Sequence, residues 1–415
     1  MGEPTVPKRE TLSIVIPALN EEAAIGGTIA RCLEAREQVM REGGVGAVEI
    51  LVVSDGSSDR TEEIARGFPE VTVLAFEHNR GYGAAILCGF AHAQGDLLAF
   101  LDADGTCDPR VFADLCRALH EGRADVALGS RLGPGSRMPP LRAAGNLLFA
   151  GLLGLLSKRT VGDTASGMRV LRRDALRDLL PLPSGLHFTP AMSARILLEG
   201  RLALVEVPMP YAERVGRSKL SVLRDGWRFL RSIVQAAMSF RPARPLLLGA
   251  ALLALPALAI GLGPSLLWLR ERHLEEWMIY RILMASLLAT LVAMLVSAAV
   301  VAERIAGLAH KRPLASSGAT ALAARLFTTR ARRAAGVVLV ALAIAVTAPG
   351  IVEYATTRQV HMHWSRAVLG SLLMVLTATL AITAFLLNML ELIHAQRGPI
   401  PEGPPPDRVR PARAG

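Results

Sequence analysis

The sequence predicts an α/β domain built on a doubly wound sheet, followed by an all-α transmembrane region of four helices. Three observations carry that expectation. Short apolar, β-branched runs alternate with helical stretches as far as about residue 240, the pattern of strands joined by crossover helices. Two of those runs end abruptly in acids, at Asp55 and at Asp102 with Asp104, and open α/β sheets bind ligands beyond the carboxyl ends of their strands. After Pro245 long uncharged runs take over, each near the roughly 20 residues that cross a bilayer.

Residues 11–17 (TLSIVIP) predict the first strand, and Asn20, Glu21 and Glu22 follow where a helical pattern begins. Residues 48–53 predict the second, which ends in a turn at Asp55; Ser58 or Asp59 is expected to cap the helix that carries Glu62 and Glu63. A third strand is expected over 71–76, then a glycine-opened helix over 81–93 (GYGAAILCGFAHA). The fourth strand, 96–101, empties into Asp102 and Asp104, and a fifth covers 126–131 (VALGSR). A parallel arrangement of these strands sets Asp55, Asp102 and Asp104 on one rim. Gly81 and Gly83 let backbone approach a phosphate, but they form neither G-x-G-x-x-G after a strand nor a Walker pattern.

Composition bounds the alternatives. The chain has 415 residues, 51% of them hydrophobic, with a positive mean hydropathy; the apolar excess is concentrated after residue 245. The net charge is +10, nearly all of the positive charge being Arg. Those arginines lie beside apolar segments rather than in a basic stripe with stacking aromatics, which speaks against nucleic acid and for lipid headgroups and phosphates. Cys32, Cys88, Cys107 and Cys116 show no paired C-x-x-C spacing, so reduced thiols are expected and zinc is not.

Spans are expected over 246–269, over 277–302 with Arg281 near its outer end, and over 334–352 and 367–390, with Pro256, Pro264 and Pro349 kinking helices or marking their ends. The loop between the second and third spans carries Arg304, Lys311, Arg312, Arg325, Arg330, Arg332 and Arg333, and the tail carries Arg397, Arg408, Arg410 and Arg413. The positive-inside rule puts both in the cytosol. No leader pattern is visible at the N-terminus. The expectation is therefore a multi-pass membrane protein whose first domain and both termini are cytosolic. Residues 143–157 (AAGNLLFAGLLGLLS) are apolar but short of a span, and predict an interfacial helix. Leu220, Leu223, Trp227, Leu230 and Val234 recur at helical spacing with Arg224, Arg228 and Arg231 opposite, a basic amphipathic helix for the headgroup layer. His361, Met362 and His363 fall in an outer loop, where a solvated loop is a better reading than a metal site. The organisation expected is a domain over 1–218, a juxtamembrane helix over 219–244, a membrane domain over 245–395 and a disordered basic, Pro-rich tail over 396–415.

The acidic pair suggests the chemistry. Carboxylates one residue apart at a strand end suit a hard cation, Mg²⁺ or Mn²⁺, which grips a diphosphate; an acidic surface turn reads equally well on these residues alone. Taken in order, SIVIPALNEE, VVSDGSSDRTEEIA, NRGYGAA, FLDADGTCDP and GSR resemble glycosyltransferase family 2, whose fold is GT-A. DTASGMRVLRRDAL and YAERVGRSKLS look like the polyprenyl-phosphate sugar synthases within it, of the dolichol-phosphate mannose synthase type. The resemblance covers nearly the whole first domain.

It implies that Pro17, Asn20, Glu21 and Asp55 bind the nucleoside part of a sugar nucleotide, and that Asp102 and Asp104 hold the metal through the diphosphate. Favourable charge at a helix N-terminus is the plainer reading of Glu22, and an alternative for Glu21. Arg131, Arg142, Arg217 and Lys219 are implied for the acceptor phosphate, with solvated cations facing lipid as the alternative. Two departures stand out. Thr106 takes the place where Gln is frequent, which puts a third protein ligand in doubt, and Arg217 replaces a more usual Glu. Asp163 aligns with the residue usually described as the catalytic base. A phosphate monoester has a second pKa of about 6, so little proton abstraction is needed. Asp163 then orients the acceptor or a cation such as Arg169, or caps a turn. With Asp104 and Arg131 it completes the catalytic set that the resemblance implies.

The expected activity is inverting transfer of one sugar from a nucleotide donor to a polyprenyl phosphate, with membrane lipids as neighbours and no nucleic acid. A processive polysaccharide synthase shares fold and spans, but no Q-x-x-R-W string precedes the spans here. A non-catalytic nucleotide-binding scaffold is the other alternative.

Overall fold

A computed structural model describes residues 10–133, 136–215, 221–271, 274–310, 329–359, 361 and 363–396. The chain divides into two compact units, residues 1–241 and 242–415.

The first unit is a seven-stranded sheet: β1 (Thr11–Ala18), β2 (Ala47–Ser54), β3 (Thr72–Ala75), β4 (Leu97–Leu101), β5 (Val126–Ser130), β6 (Met168–Arg172) and β7 (Leu204–Pro208). Its order is β3-β2-β1-β4-β6-β5-β7. The five strands expected from apolar runs are present. The sheet is mixed rather than parallel throughout, because β6 runs antiparallel to both β4 and β5. β1 and β4 are buried on both faces, and so read as continuous apolar runs.

Side chains alternate between the two faces. Ile14 and Ile16 point to a core shared with α1 (Ile25–Gly43) and α4 (Val111–Glu121). Val15, between them, points to a second core with α3 (Tyr82–His92) and α7 (Phe188–Glu199). In α4 the buried residues Val111, Phe112, Leu115, Cys116 and Leu119 recur every three or four positions, which fixes its inward stripe. Gly89 lets α3 lie against β1, since a Cβ there would overlap the Val15 side chain. The short α2 (Thr61–Arg66) begins later than the sequence suggests, and Asp59 receives the Thr61 N–H at 3.0 Å. All four cysteines are free; burial pushes the Cys32 and Cys116 thiols up to about 12.

Two further helices flank the second face. α5 (Pro140–Ser157) has 18 residues, more than the 143–157 segment expected, and is long and apolar enough to cross a membrane. Its Leu153 and Leu156 are buried in a core with Leu197 and Leu198 of α7 and Ile233 of α8 (Val222–Phe240), while Leu147, Leu148 and Leu155 are exposed. A short α6 (Arg173–Leu179) follows β6. α8 has three faces. Phe229, Ile233, Ala237 and Phe240 are buried against the domain; Trp227, 67% exposed, lines up with Val234 and Met238 on a second stripe. Arg224, Arg228 and Arg231 lie about a quarter turn beyond that stripe, at 100° per residue, rather than opposite it. Leu220 and the Leu223 side chain lie outside the described residues.

Among the described residues, the second unit contains α9 (Ala243–Glu271), a 3-10 turn (Glu276–Met278), α10 (Ile279–Ala309), α11 (Thr329–Thr357) and α12 (Trp364–Gln396). All four helices are long and apolar enough to cross a membrane. The basic residues expected at Lys311, Arg312 and Arg325, the side chains of Arg330, Arg332 and Arg333, Met362, and the tail from Arg397 through Arg408, Arg410 and Arg413 lie outside the described residues. His361 pairs with Glu353 at 2.8 Å.

Candidate active site

Topology gathers the predicted residues on one rim. β1 is parallel to β2 and β4, so Glu21, Asp55, Asp102 and Asp104 all follow carboxyl ends on the same edge. β6 is antiparallel to β4, so the Asp163–Gly167 loop preceding it reaches that edge too. β5 is antiparallel to β6 and parallel to β7, which brings Arg131 and the 209–215 segment there as well. Pairing between β1 and β4 stops at Val15 and Phe100, while β1 continues beside β2 to Ala18. A cleft therefore opens between β1 and β4, whose following strands lie toward opposite edges of the sheet, β2 beyond β1 and β5 beyond β4. Pro17 sits at that splayed end, where its missing N–H deprives no neighbour of a ladder bond from β4.

Asp102 stands at the floor of the cleft. Its Oδ1 accepts the Tyr82 hydroxyl at 2.6 Å. Gly167 backs it so closely that a Cβ there would overlap the carboxylate. Burial, and then the negative charge of Asp104, push its pKa up to about 7. Asp104 is oriented from both sides: Oδ1 accepts Thr106 Oγ1 at 2.6 Å, and Oδ2 pairs with Arg214 at 2.8 Å. Thr106 Oγ1, at the position where a third protein ligand was in doubt, is spent on Asp104. Arg214 also pairs with Glu21, so one guanidinium joins the first strand's acid to the fourth's. The segment carrying it lies across the acidic loop through Ala212 N–H to Thr106 O at 2.9 Å and Val215 N–H to Asp104 O at 3.1 Å.

Asp163 and Arg131 form the second half of the site. The Asp163 carboxylate is fully buried and accepts Arg131 Nε at 2.7 Å, Arg131 Nη2 at 2.8 Å, Arg131 N at 3.1 Å and Ala165 N at 3.1 Å. Burial alone would raise this carboxyl; the Arg131 guanidinium outweighs it and holds the group below the usual carboxylate range. The cation that Asp163 holds is therefore Arg131. Arg169, suggested from the sequence, instead donates to the carbonyls of Ser166 and Thr164 and to Ser193 Oγ. Arg169 is fully buried, and that burial lowers its pKa to about 10. The loop is pinned further by Glu206, which accepts Gly162 N at 2.8 Å and Asp163 N at 2.9 Å, and by Asn146 of α5, bonded to Gly162 O and Thr164. Arg131 lies over the Tyr211 ring at 5.6 Å.

The nucleoside candidates line the β1–β2 side. Asp55 is buried, and its oxygens accept the N–H groups of Arg80 at 2.7 Å and Gly81 at 3.0 Å. Burial raises its pKa against those two donors. Gly81 opens α3 at φ 105, a conformation that glycine permits. Asn20, at φ 47, accepts Ser58 N at 2.8 Å. Glu22 accepts Arg60 N at 3.2 Å, away from the acid pair. Arg142 lies in the first turn of α5. Arg217 and Lys219 lie outside the described residues. Sequence reasoning missed Arg214, Tyr82, Asn146 and Glu206. Arg214 and Tyr82 carried a signal, lying within the YAERVGRSKLS and NRGYGAA stretches that the resemblance rests on.

A profile of Glycosyl transferase family 2 matches residues 13–180. A dolichyl-phosphate hexose transferase of Haloferax volcanii is 32% identical over 238 residues, 56% of this chain and 96% of that protein. A low-salt glycan biosynthesis hexosyltransferase from the same organism is 37% identical over 246 residues, 57% of this chain but only 56% of that protein's length. A glucosyl-3-phosphoglycerate synthase of Mycobacterium tuberculosis, solved with Mn²⁺, UDP and phosphoglyceric acid, aligns at a TM-score of 0.44 and 22% identity over 55% of this chain and 78% of its own. The chain belongs to glycosyltransferase family 2.

Proposed function

We propose that this chain transfers a sugar, with inversion, from a nucleotide-sugar donor to the phosphate of a polyprenol at the cytosolic membrane face. The observation that carries the reading is the convergence, at one cleft, of an acid pair, half-buried Asp102 and buried Asp104, with two arginines, Arg131 and Arg214. The relatives named for dolichyl-phosphate hexose transfer and for hexosyl transfer support it, as do the apolar helices.

The donor set fits a hard divalent cation. Two carboxylates close enough for one to raise the other's pKa are relieved by a dication, and Mg²⁺ or Mn²⁺ needs only one or two carboxylates when phosphates fill its remaining positions. Asp102 and Asp104 would hold it, and when bound it neutralises charge on the leaving diphosphate. Arg214 supplies further positive charge beside Asp104. Pro17, Asn20, Glu21 and Asp55 place the nucleoside along the β1–β2 side. Arg131 commits Nε and Nη2 to Asp163, keeps Nη1 for the acceptor phosphate, and is held charged by the buried carboxylate. Arg142, Arg217 and Lys219 are the further acceptor candidates. An acceptor oxygen forms the new bond to the anomeric carbon as the bond to the donor phosphate breaks, and the nucleoside diphosphate leaves with the electron pair. The exposed stripe of α8 and the exposed leucines of α5 suit the headgroup layer that holds the acceptor.

Membranes holding the full chain, incubated with labelled sugar nucleotides and extracted with organic solvent, should carry label in the lipid phase. Label in polymer, or no label with any donor, overturns the reading. Metal affinity should also follow pH. The Asp102 pKa of about 7 lies above its ordinary value, so the ligand-free fold favours the protonated form and loses that stability as pH rises through 7. Mg²⁺ requires the ionised form, so its apparent affinity should climb between about pH 6 and pH 8, by up to tenfold per unit. A flat affinity over that range, measured by thermal shift against Mg²⁺, removes Asp102 from the donor set.

A further inference from the structure

A cavity of about 1040 Å³ lies within the second unit, lined by α9, α10, α11 and α12, at the upper end of the range for ligand sites. Its wall along α9 runs from Ala257 to Leu269, about 18 Å at 1.5 Å per residue. Half of a bilayer's hydrocarbon layer is about 15 Å, so the shaft has the depth of one leaflet. Deep in it the wall is apolar and small-residued, with Gly261, Ala285 and Ala289.

The mouth has a different chemistry. It lies where α9 ends and α12 begins, and it carries Trp268, His363, Ser365 and Arg366. Tryptophan marks the water–lipid boundary. Ser365 and Arg366 stand in the first turn of the 33-residue α12, where the helix dipole favours an anion. No hydrogen bond or ion pair holds the exposed Arg366 guanidinium among the described residues, and no carboxylate lines the cavity. Arg281, on α10, is committed to the backbone of α9. Pro264 has no N–H for the carbonyl of Ile260 four residues back, and Arg281 donates to that oxygen at 3.4 Å.

We propose that this cavity binds one anionic membrane lipid, with its phosphate against Arg366 and His363 and a hydrocarbon chain in the shaft between α9 and α10. An apolar shaft in a bilayer fills with chain, and the Arg366 cation at its mouth selects the headgroup. The site is separate from sugar transfer and stands whether or not that reading holds.

The test uses the full chain in proteoliposomes with spin-labelled phosphatidylglycerol or phosphatidylcholine as probe, read as the motionally restricted fraction. The wild type should favour phosphatidylglycerol about fivefold, the factor given by about 1 kcal/mol per basic residue at a membrane surface. Arg366→Gln, at an exposed position, should bring the two probes level. Ala289→Trp, which fills the shaft, should lower the restricted fraction of both. Equal fractions in the wild type, a preference that survives Arg366→Gln, or a fraction unmoved by Ala289→Trp overturns the proposal. Inorganic phosphate without a lipid chain should not displace the probe; displacement would mean an anion site rather than a lipid site.

Discussion

Asp104→Ala is expected to abolish sugar transfer while the chain still folds and enters the membrane. Asp104 carries the charge that, with Asp102, would hold the divalent ion. Charge stabilisation of several kcal/mol at a leaving diphosphate corresponds to a loss of about 10³-fold or more. The local cost is smaller. Thr106 Oγ1 loses one acceptor, and Arg214 keeps Glu21 but loses its 2.8 Å partner; an unmet buried group costs about 1–3 kcal/mol. The apolar helices of the second unit contain no part of this pair, so insertion should match wild type on carbonate extraction. Initial rates of lipid-linked sugar formation at saturating Mg²⁺, normalised to folded protein, make the measurement. Near-normal turnover removes the metal assignment. Asp104→Asn should be as poor, because its amide sets donor against donor at Arg214.

The acidic rim was legible in the sequence for a physical reason: strands buried on both faces are written as unbroken apolar runs, and each run stops where its strand leaves the sheet. β1, β2 and β4 announce themselves in this way, and Asp55, Asp102 and Asp104 sit at their ends. β6 does not. Its sequence MRVLR places an arginine inside the sheet, and Arg169 is buried there only because carbonyls and Ser193 from separate segments meet its donors. β7, LVEVP, carries Glu206 for the same kind of reason, the acid being spent on two loop N–H groups. Neither strand resembles a β-branched run, so the antiparallel insertion that makes the sheet mixed could not be seen. Arg214 lies 193 residues from Glu21, a pairing that only the closed sheet brings together. The α8 helix misled in another way: its sequence has two apolar stripes, and the one that packs on the domain, Phe229, Ile233 and Ala237, is not the Trp227 stripe that periodicity picks out first.

Asp163→Asn is expected to lower transfer by about 10²–10³-fold, the loss typical of a misplaced charge-stabilising donor, and without removing a general base. In the wild type the carboxylate is saturated by four donors, three of them from Arg131. A carboxyl held below its ordinary pKa is a weak base, and the acceptor phosphate is already largely ionised above its second pKa of about 6. The carboxylate's work is therefore to fix the Arg131 guanidinium so that Nη1 faces the acceptor. Asparagine leaves the half-buried Arg131 without a counter-charge, a change that costs up to about 3–5 kcal/mol of stability. Arg131→Gln should lose a similar amount of activity, and the double variant hardly more, because both remove one oriented cation. The double variant should also regain stability relative to Asp163→Asn, since the stranded charge is gone. The pH–rate profile separates the two roles. The acid limb set by the acceptor should stay near pH 6 in Asp163→Asn, and the loss should appear as a higher KM for acceptor lipid together with a lower kcat. Full additivity of the two single losses, or an acid limb that disappears with the carboxylate, would return Asp163 to the role of base.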